Sequence, residues 1–252
     1  MAVNRDAARR RKRKKRGIIF KPLAYLLMIA AMAIGIGVFF KISHVEVAGN
    51  TMYTSDEIIA ASGIRTGDSL FFINNFQATG HIIDSLPYVD EATFSRKLPG
   101  TIVIGITESY PLASLRLGDN YYIIDKKCKI LEKTDYSGSI GTIAIWGVTP
   151  ILPAVGDKIA AGQDKLIEIE YLTELMTLIL ERNMQSDISE IDVTNVSNIT
   201  FRYMERFTIE MGKHERLEYK LELLESVMEE TGPGETGVID LKKDREAHVI
   251  PD

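Results

Sequence analysis

Apolar residues fall into two regimes along the chain. From residue 23 to residue 40 there are eighteen positions without a charge, and unbroken apolarity of that length predicts a helix that spans a membrane. At 1.5 Å per residue the run covers about 27 Å, close to the ~30 Å of bilayer hydrocarbon. Residues 18–20 lengthen it, with Lys21 snorkelling to the headgroups. Beyond Lys41 the pattern changes to short alternating stretches and helical periods, which predict folded α+β structure.

Ile42, Val45 and Val47 predict a strand that ends at the turn signal Gly49-Asn50. Thr54 precedes Glu57 by three residues, the capping-box spacing, with Ile58 and Ile59 following and Gly63 as a stop, so a helix is predicted over 55–62. A second helix is expected over 74–86, with Phe76, Ile82, Ile83 and Leu86 on one face and Pro87 preventing continuation. A strand around 90–96, a Leu98-Pro99-Gly100 turn and a strand over 101–108 follow. In the last of these Ile102, Ile104 and Ile106 alternate with Val103, Gly105 and Thr107, the mark of a half-buried hairpin partner. Pro111 removes a ladder donor and marks a boundary.

From Leu115 onward a longer mixed domain is expected. Strands are predicted at 121–125, 129–131 and 142–148, the last containing the only Trp, before a loop punctuated by Gly147, Pro150 and Pro153. Leu166, Ile169, Leu172, Met176 and Ile179 recur at helical spacing, predicting an amphipathic helix over 165–182 that covers a sheet. Strands at 188–193, 198–203 and 207–211 precede a helix over 215–229, whose Leu217, Leu221, Leu224 and Met228 share a face. Gly232-Pro233-Gly234 ends it, and 238–241 is the last strand expected before a polar, extended run to Asp252.

Charge sets the orientation. Arg9, Arg10, Arg11, Lys12, Arg13, Lys14, Lys15 and Arg16 are eight consecutive cations, close enough to the apolar run to place the N-terminus in the cytoplasm by the positive-inside rule. Residues 1–22 hold ten Lys/Arg against Asp6, so this end is +9 and the remainder −14 within a net −5. The basic tail is expected to be disordered in solution and drawn to acidic headgroups. A cleaved signal peptide competes with the anchor, because Ala31-Met32-Ala33 offers small residues; cleavage there would leave residues 34–40 as an exposed apolar N-terminus. A nucleic-acid reading of the cations leaves the apolar run unexplained.

Catalytic equipment does not stand out. His44, His81, His214 and His248 lack metal-binding spacing, and a single cysteine cannot build a thiolate site alone. Cys128, within Lys126-Lys127-Cys128-Lys129, has neighbouring cations that would lower its pKa, but a bystander thiol in a turn is the preferred reading. Gly212-Lys213 lacks the upstream glycine of a phosphate loop. Glu168, Glu170, Glu174 and Glu181, like Glu222, Glu225, Glu229 and Glu230, read as solvated helix faces. Gly35 and Gly37 do not have GxxxG spacing. No cofactor, metal site or catalytic residue is predicted.

The order strand, helix, helix, strand, strand directly after a membrane anchor resembles a POTRA domain. Val45-Glu46-Val47-Ala48-Gly49-Asn50 with Tyr53, Glu57 and Ile58, then Arg96-Lys97-Leu98-Pro99-Gly100-Thr101-Ile102 and Glu108-Ser109-Tyr110-Pro111-Leu112-Ala113, resemble the FtsQ/DivIB family of bacterial division proteins. Ile188-Ser189-Glu190-Ile191-Asp192, the strand at 207–212, Lys220-Leu221 and Gly237-Val238-Ile239-Asp240-Leu241 extend the similarity into that family's beta domain. The resemblance implies a basic cytoplasmic tail at 1–17, a transmembrane helix at 18–40, a POTRA domain at 41–113, a beta domain at 114–241 and a C-terminal tail at 242–252.

It also implies a non-catalytic scaffold at the septum that binds FtsL-like and FtsB/DivIC-like bitopic proteins and, through them, the septal peptidoglycan synthase. The family's main partner contact falls on the last strand and the segment after it, here Val238, Ile239, Asp240, Leu241, Lys242 and on to Ile250, where an edge strand accepts another chain. Lys242-Lys243 would equally serve as guards of an unbound edge. Where many relatives carry glycine and aromatic residues, this chain has Asp244-Arg245-Glu246-Ala247-His248-Val249, so a charge-steered interface is expected. A cell-wall enzyme or sensor with an unrecognised site, and a POTRA-bearing transport component, are the rival readings.

Overall fold

The computed structural model describes residues 5–160, 162, 165–232, 234–243 and 247–251, and the side chains of residues 22 and beyond within them. The chain divides into two units, Met1–Ile82 with Glu91–Thr107, and Ile83–Asp90 with Glu108–Asp252.

The first unit begins with α1 (Arg5–Phe39). Its Pro22–Phe39 stretch is apolar and long enough to cross a membrane, and none of that stretch is buried. The backbone of the basic segment is helical, where its scarcity of apolar residues predicts disorder in solution. Arg and Lys are good helix formers, and a helix already nucleated by the apolar run grows by one hydrogen bond per added residue. The side chains of Arg9 to Arg16 lie outside the described residues.

After the span come β1 (His44–Ala48), α2 (Ser55–Ser62), α3 (Asn75–Ser85), β2 (Val89–Lys97) and β3 (Thr101–Glu108). The sheet order is β1-β3-β2, with β1 parallel to β3 in a register that sets Val45 opposite Ile102 and Val47 opposite Ile104. Both halves of the capping box form: Thr54 Oγ1 accepts from Glu57 N, and Glu57 Oε2 accepts from Thr54 N at 2.8 Å. The Thr54 N–H, and with it the Thr54 hydroxyl, which also donates to Glu57 Oε2 at 2.7 Å, hold the Glu57 carboxyl below its ordinary pKa. Gly63 closes α2 in the left-handed conformation at φ 70°. Ile102, Ile104 and Ile106 are all buried, as their alternation requires.

One expected face is different. In α3 the buried residues are Ala78 and Ile82, whereas Phe76 is 90% exposed. Phe76 and Ile82 are six residues apart, about 120° around a helix axis, so one face cannot bury both.

The second unit contains β4 (Ala113–Leu117), β5 (Asn120–Ile124), β6 (Ile130–Thr134), α4 (Tyr136–Ser139), β7 (Ile143–Trp146), α5 (Leu166–Glu181), β8 (Ile188–Asp192), β9 (Ile199–Tyr203), β10 (Phe207–Gly212), α6 (Leu217–Glu230), β11 (Gly237–Asp240) and β12 (His248–Pro251). They form one sheet ordered β12-β11-β10-β9-β8-β7-β4-β5-β6. β7 and β8 are parallel neighbours joined through α5, and β10 and β11 are parallel neighbours joined through α6. Parallel neighbours need a crossover, and each crossover lays its helix on the sheet.

The helices share the sheet's apolar face. Tyr171, Leu172, Leu175, Met176 and Ile179 of α5 and Leu217, Leu221 and Leu224 of α6 cluster with Ile145, Ile191, Phe201, Ile209 and Ile239 of the strands. Burying each such side chain contributes about 1.5–3 kcal/mol. Thr200, Arg202, Thr208 and Glu210 alternate with the buried residues and stay partly exposed. Arg182, just past α5, ties the two helices by donating to Glu225 Oε2 at 2.9 Å and Glu222 Oε1 at 3.3 Å. Glu168, expected on a solvated face, is instead 5% exposed and receives Lys165 Nζ at 2.8 Å.

Candidate partner-binding edge

The two ends of the large sheet are unlike. At the β6 end the start of the strand is covered by the following loop, since Ile130 N donates to Asp157 O at 2.8 Å and Gly156 N to Ile130 O at 2.8 Å. At the other end lies β12, and all four of its residues are exposed, Val249 by 40% and Ile250 by 54%. An exposed strand with aliphatic side chains is a template for another chain unless something blunts it.

β12 alters what the sequence led us to expect of β11. The segment after Leu241 had read as polar and extended, with β11 as the edge. Instead β11 is paired on both sides, parallel with β10 and antiparallel with β12, with Val238 opposite Ile250 and Asp240 opposite His248. The five positions anticipated for partner contact therefore separate by burial. Ile239 and Leu241 are fully buried in the core under the helices, while Val238 and Asp240 are half-buried and Lys242 is exposed. Alternation dictates this, because successive strand residues point to opposite faces. Asp244, Arg245 and Glu246 lie outside the described residues.

Two glycines shape the edge. Gly237 has φ +148°, and a Cβ there would come within 2.2 Å of Ile250 O, so β12 can approach β11 only because residue 237 has no side chain. Gly212, at φ +69°, ends β10; a Cβ on it would lie 2.9 Å from Lys242 Cγ. Lys242 is thereby seated over the end of β10. Its ammonium bonds to Glu210 and stands 3.4 Å from Asp240 Oδ2, and its backbone N–H donates to Asp240 Oδ1 at 2.8 Å. The bond to Glu210 raises the Lys242 pKa above its ordinary value. Leu241 N donates to Glu210 O at 2.9 Å, extending the β10–β11 pairing by one residue.

Beneath the edge Lys220 is 5% exposed, and its ammonium donates to the carbonyls of Met211 at 2.6 Å and Lys213 at 3.1 Å, satisfying backbone acceptors where β10 ends. A buried ammonium requires such partners. Sequence reasoning missed this role, although Lys220 sits one residue before Leu221 on the buried side of α6.

Cys128 is a buried thiol, as the bystander reading expects, and is not activated by its cationic neighbours. It is 2% exposed at φ 59°, with Sγ 3.4 Å from Thr173 Oγ1, and burial pushes its pKa up to about 11. The adjacent cations point elsewhere: Lys127 Nζ reaches Asp90 Oδ1 at 2.6 Å and Lys129 Nζ donates to Val89 O at 2.9 Å. Burial lowers the Lys129 pKa. The turn is organised by buried Asp125, whose Oδ1 accepts from Lys127 N and Lys129 N at 2.9 and 2.8 Å, while Oδ2 accepts from Ser109 Oγ at 3.0 Å. Among the described residues no group of three or more His, Cys, Asp or Glu is arranged to hold a metal ion.

Comparison with known proteins covers both units. The sequence model of the FtsQ-type POTRA domain matches residues 40–109, and that of the FtsQ/DivIB cell division protein C-terminal region matches residues 113–242. The cell division protein DivIB of Clostridium tetani is 29% identical over 190 residues, covering 75% of this chain and 70% of that protein. The DivIB of Clostridium acetobutylicum is 27% identical, covering 73% and 71%. The cell division protein FtsQ of Corynebacterium glutamicum is 32% identical over 119 residues, 46% of this chain and 52% of that protein. A POTRA domain after an N-terminal apolar helix, followed by a matching beta-rich C-terminal region, assigns the chain to bacterial cell division: it belongs to the FtsQ/DivIB family.

Proposed function

We propose that this chain is a non-catalytic, membrane-anchored scaffold of the division machinery. Its sheet edge at β11–β12 accepts a strand from an FtsB/DivIC-like bitopic protein, with an FtsL-like protein in the same assembly, and helps to assemble or regulate the septal peptidoglycan synthase. The cations from Arg9 to Arg16 keep the N-terminus in the cytoplasm and adhere to acidic lipid, the domains after residue 40 lie outside, and the protein is enriched at the septum. No nucleic acid takes part.

The observation that carries this reading is the sheet end at β12, exposed along four residues and bearing Val249 and Ile250. Backbone pairing supplies affinity there and alternate side chains supply selection. Val238 and Asp240 lie one strand in, where a partner's side chains can reach them, whereas Ile239 and Leu241 serve by fixing β11 to the core.

The test is co-purification of the full-length chain with its FtsB/DivIC-like partner. Deleting everything from Val238 would also remove two core side chains, so the informative variant is Val249→Lys with Ile250→Lys. Loss of the partner with an unchanged far-UV circular dichroism spectrum is expected. Undiminished recovery refutes the edge as the binding site.

A further inference from the structure

Near the end of α1 the first unit carries exposed apolar side chains that neither the core nor the proposed edge explains. Phe39 is 85% exposed, Phe71 42%, Phe72 68% and Leu98 64%. Phe71 meets Phe40 edge to face, with ring centroids 5.3 Å apart. Phe72 lies against the span itself: a Cβ on Gly37 would stand 3.1 Å from its Cε2 atom, so the ring rests where the helix has no side chain.

The loop that carries these rings is bound to the exit of the span. Leu70 N donates to Phe40 O, Ile42 N to Asp68 O and Gly67 N to Ile42 O, each at 2.8 Å. Arg96 Nε donates to Leu70 O, also at 2.8 Å. Ile42 and Leu70 are 1% and 0% exposed, which fixes both strands of this tie in the unit's core. The Leu98 turn is held to the same exit, because Gly100 O accepts from Ser43 N at 2.8 Å and from Ser43 Oγ at 3.1 Å.

These positions locate the rings against the bilayer. Gly37 precedes the end of the apolar stretch at Phe39 by two residues, about 3 Å along a helix axis. A ring packed on Gly37 is therefore level with the last turn of the span. Apolar side chains at that depth lie at the boundary of headgroups and acyl chains, the depth at which interfacial segments settle. Lys41 at the exit is a cation placed for lipid phosphate.

We propose that Phe71 and Phe72, with Leu98 beside them, insert into the leaflet in which α1 ends, so that the first unit is docked on the lipid surface as well as tethered to it. The lipid is the occupant because the patch is continuous with a surface that must itself face lipid: Leu26, Met28, Ile34 and Val38 of the span are each at least 60% exposed. The inference rests on reading residues 22–39 as a membrane span.

The test uses the full-length chain with Cys128→Ala, reconstituted alone into nanodiscs of phosphatidylcholine and phosphatidylglycerol. Nitroxides are placed singly through Ile29→Cys, Phe71→Cys, Phe72→Cys, Leu98→Cys and Leu152→Cys, and collisions with oxygen and with a water-soluble nickel complex are compared. Ile29 reports the span, and Leu152, 92% exposed in the second unit, reports an aqueous loop. Oxygen dominance at 71, 72 and 98, reversed to nickel dominance at 152, is expected. Nickel dominance at 71 and 72 with oxygen dominance at 29 overturns the insertion while leaving the anchor intact. Nickel dominance at 29 overturns both.

Discussion

Replacing Gly237 with Ala separates β12 from the rest of the second unit. The new Cβ would sit 2.2 Å from Ile250 O and 3.0 Å from Pro251 Cα, on a backbone at φ +148°. A non-glycine residue in that conformation costs about 1–3 kcal/mol. The overlap itself is relieved if β12 leaves, and leaving is nearly neutral. Four residues regain about 1–2 kcal/mol each of backbone freedom. Against this stand a few ladder bonds at about 1 kcal/mol net apiece, and Val249 and Ile250, half-exposed already, at about 1 kcal/mol each. The sheet should therefore shed β12 and retain β11, which Ile239 and Leu241 hold to the core. Cross-strand NOEs between Val238 and Ile250 and between Asp240 and His248, which are opposite one another, should weaken or vanish while the amides of 207–211 keep their exchange protection, with Tm of the second unit lower by about 2–4 °C for each kcal/mol of strain. Deleting residues 248–252 should leave that Tm within a few degrees of the parent. Cross-strand NOEs at parent intensity in Gly237→Ala, or a deletion that unfolds the unit, would refute the reasoning.

Three further expectations follow from the packing. Cys128 is held at about 11 against an ordinary 9.0, so the folded state binds the proton more tightly. The associated stability is complete below pH 9 and lost as pH rises to 11, an amount of about 3 kcal/mol. Cys128→Ala should flatten that part of the urea-midpoint profile relative to the parent, the upward shifts of Tyr171 and Tyr203 being common to both proteins; parallel profiles would contradict it. Thr54→Ala should cost the first unit about 1 kcal/mol, and Thr54→Ser should restore most of it, as read by denaturant unfolding. Arg182→Gln should cost at most about 1 kcal/mol and lose its effect in molar salt, because Glu222 and Glu225 are well exposed.

Local signals in the sequence were legible where one residue's neighbours decide its conformation. Thr54 and Glu57 announce their helix because the capping bonds span three residues, and Ile102, Ile104 and Ile106 announce a buried strand face because the pleat alternates. Phe76 misled because its hydrophobicity was counted without its angle around the helix. The cations around Cys128 show a related limit of adjacency, since Lys127 and Lys129 direct their ammonium groups to Asp90 and Val89. Strand partners were least legible. Nothing local reveals that β7 lies between β4 and β8, and β4 was hidden behind Pro111 as a presumed boundary. β12 was hidden because four residues following a charged run carry no alternation strong enough to mark a strand.

The near-neutral energy of β12 bears on how an edge of this kind can work. β11 is fixed from below by Ile239 and Leu241 and from the side by Glu210, whose carbonyl takes Leu241 N and whose carboxylate takes Lys242. β12 is held by its backbone pairing with β11, to which Val249 and Ile250 add only half-exposed aliphatic side chains. An incoming strand can therefore add outside β12 without disturbing the core, or replace it by making the same few bonds with better side-chain burial. Either route gains only modest affinity, since the bonds formed are those that water or β12 already supplied. On the proposed function a membrane span would compensate, because confining two anchored partners to one plane raises their effective concentration. On the proposed function, weak, reversible strand addition and the span would thus be complementary: an edge sticky enough to act without a tether would also be sticky enough to aggregate.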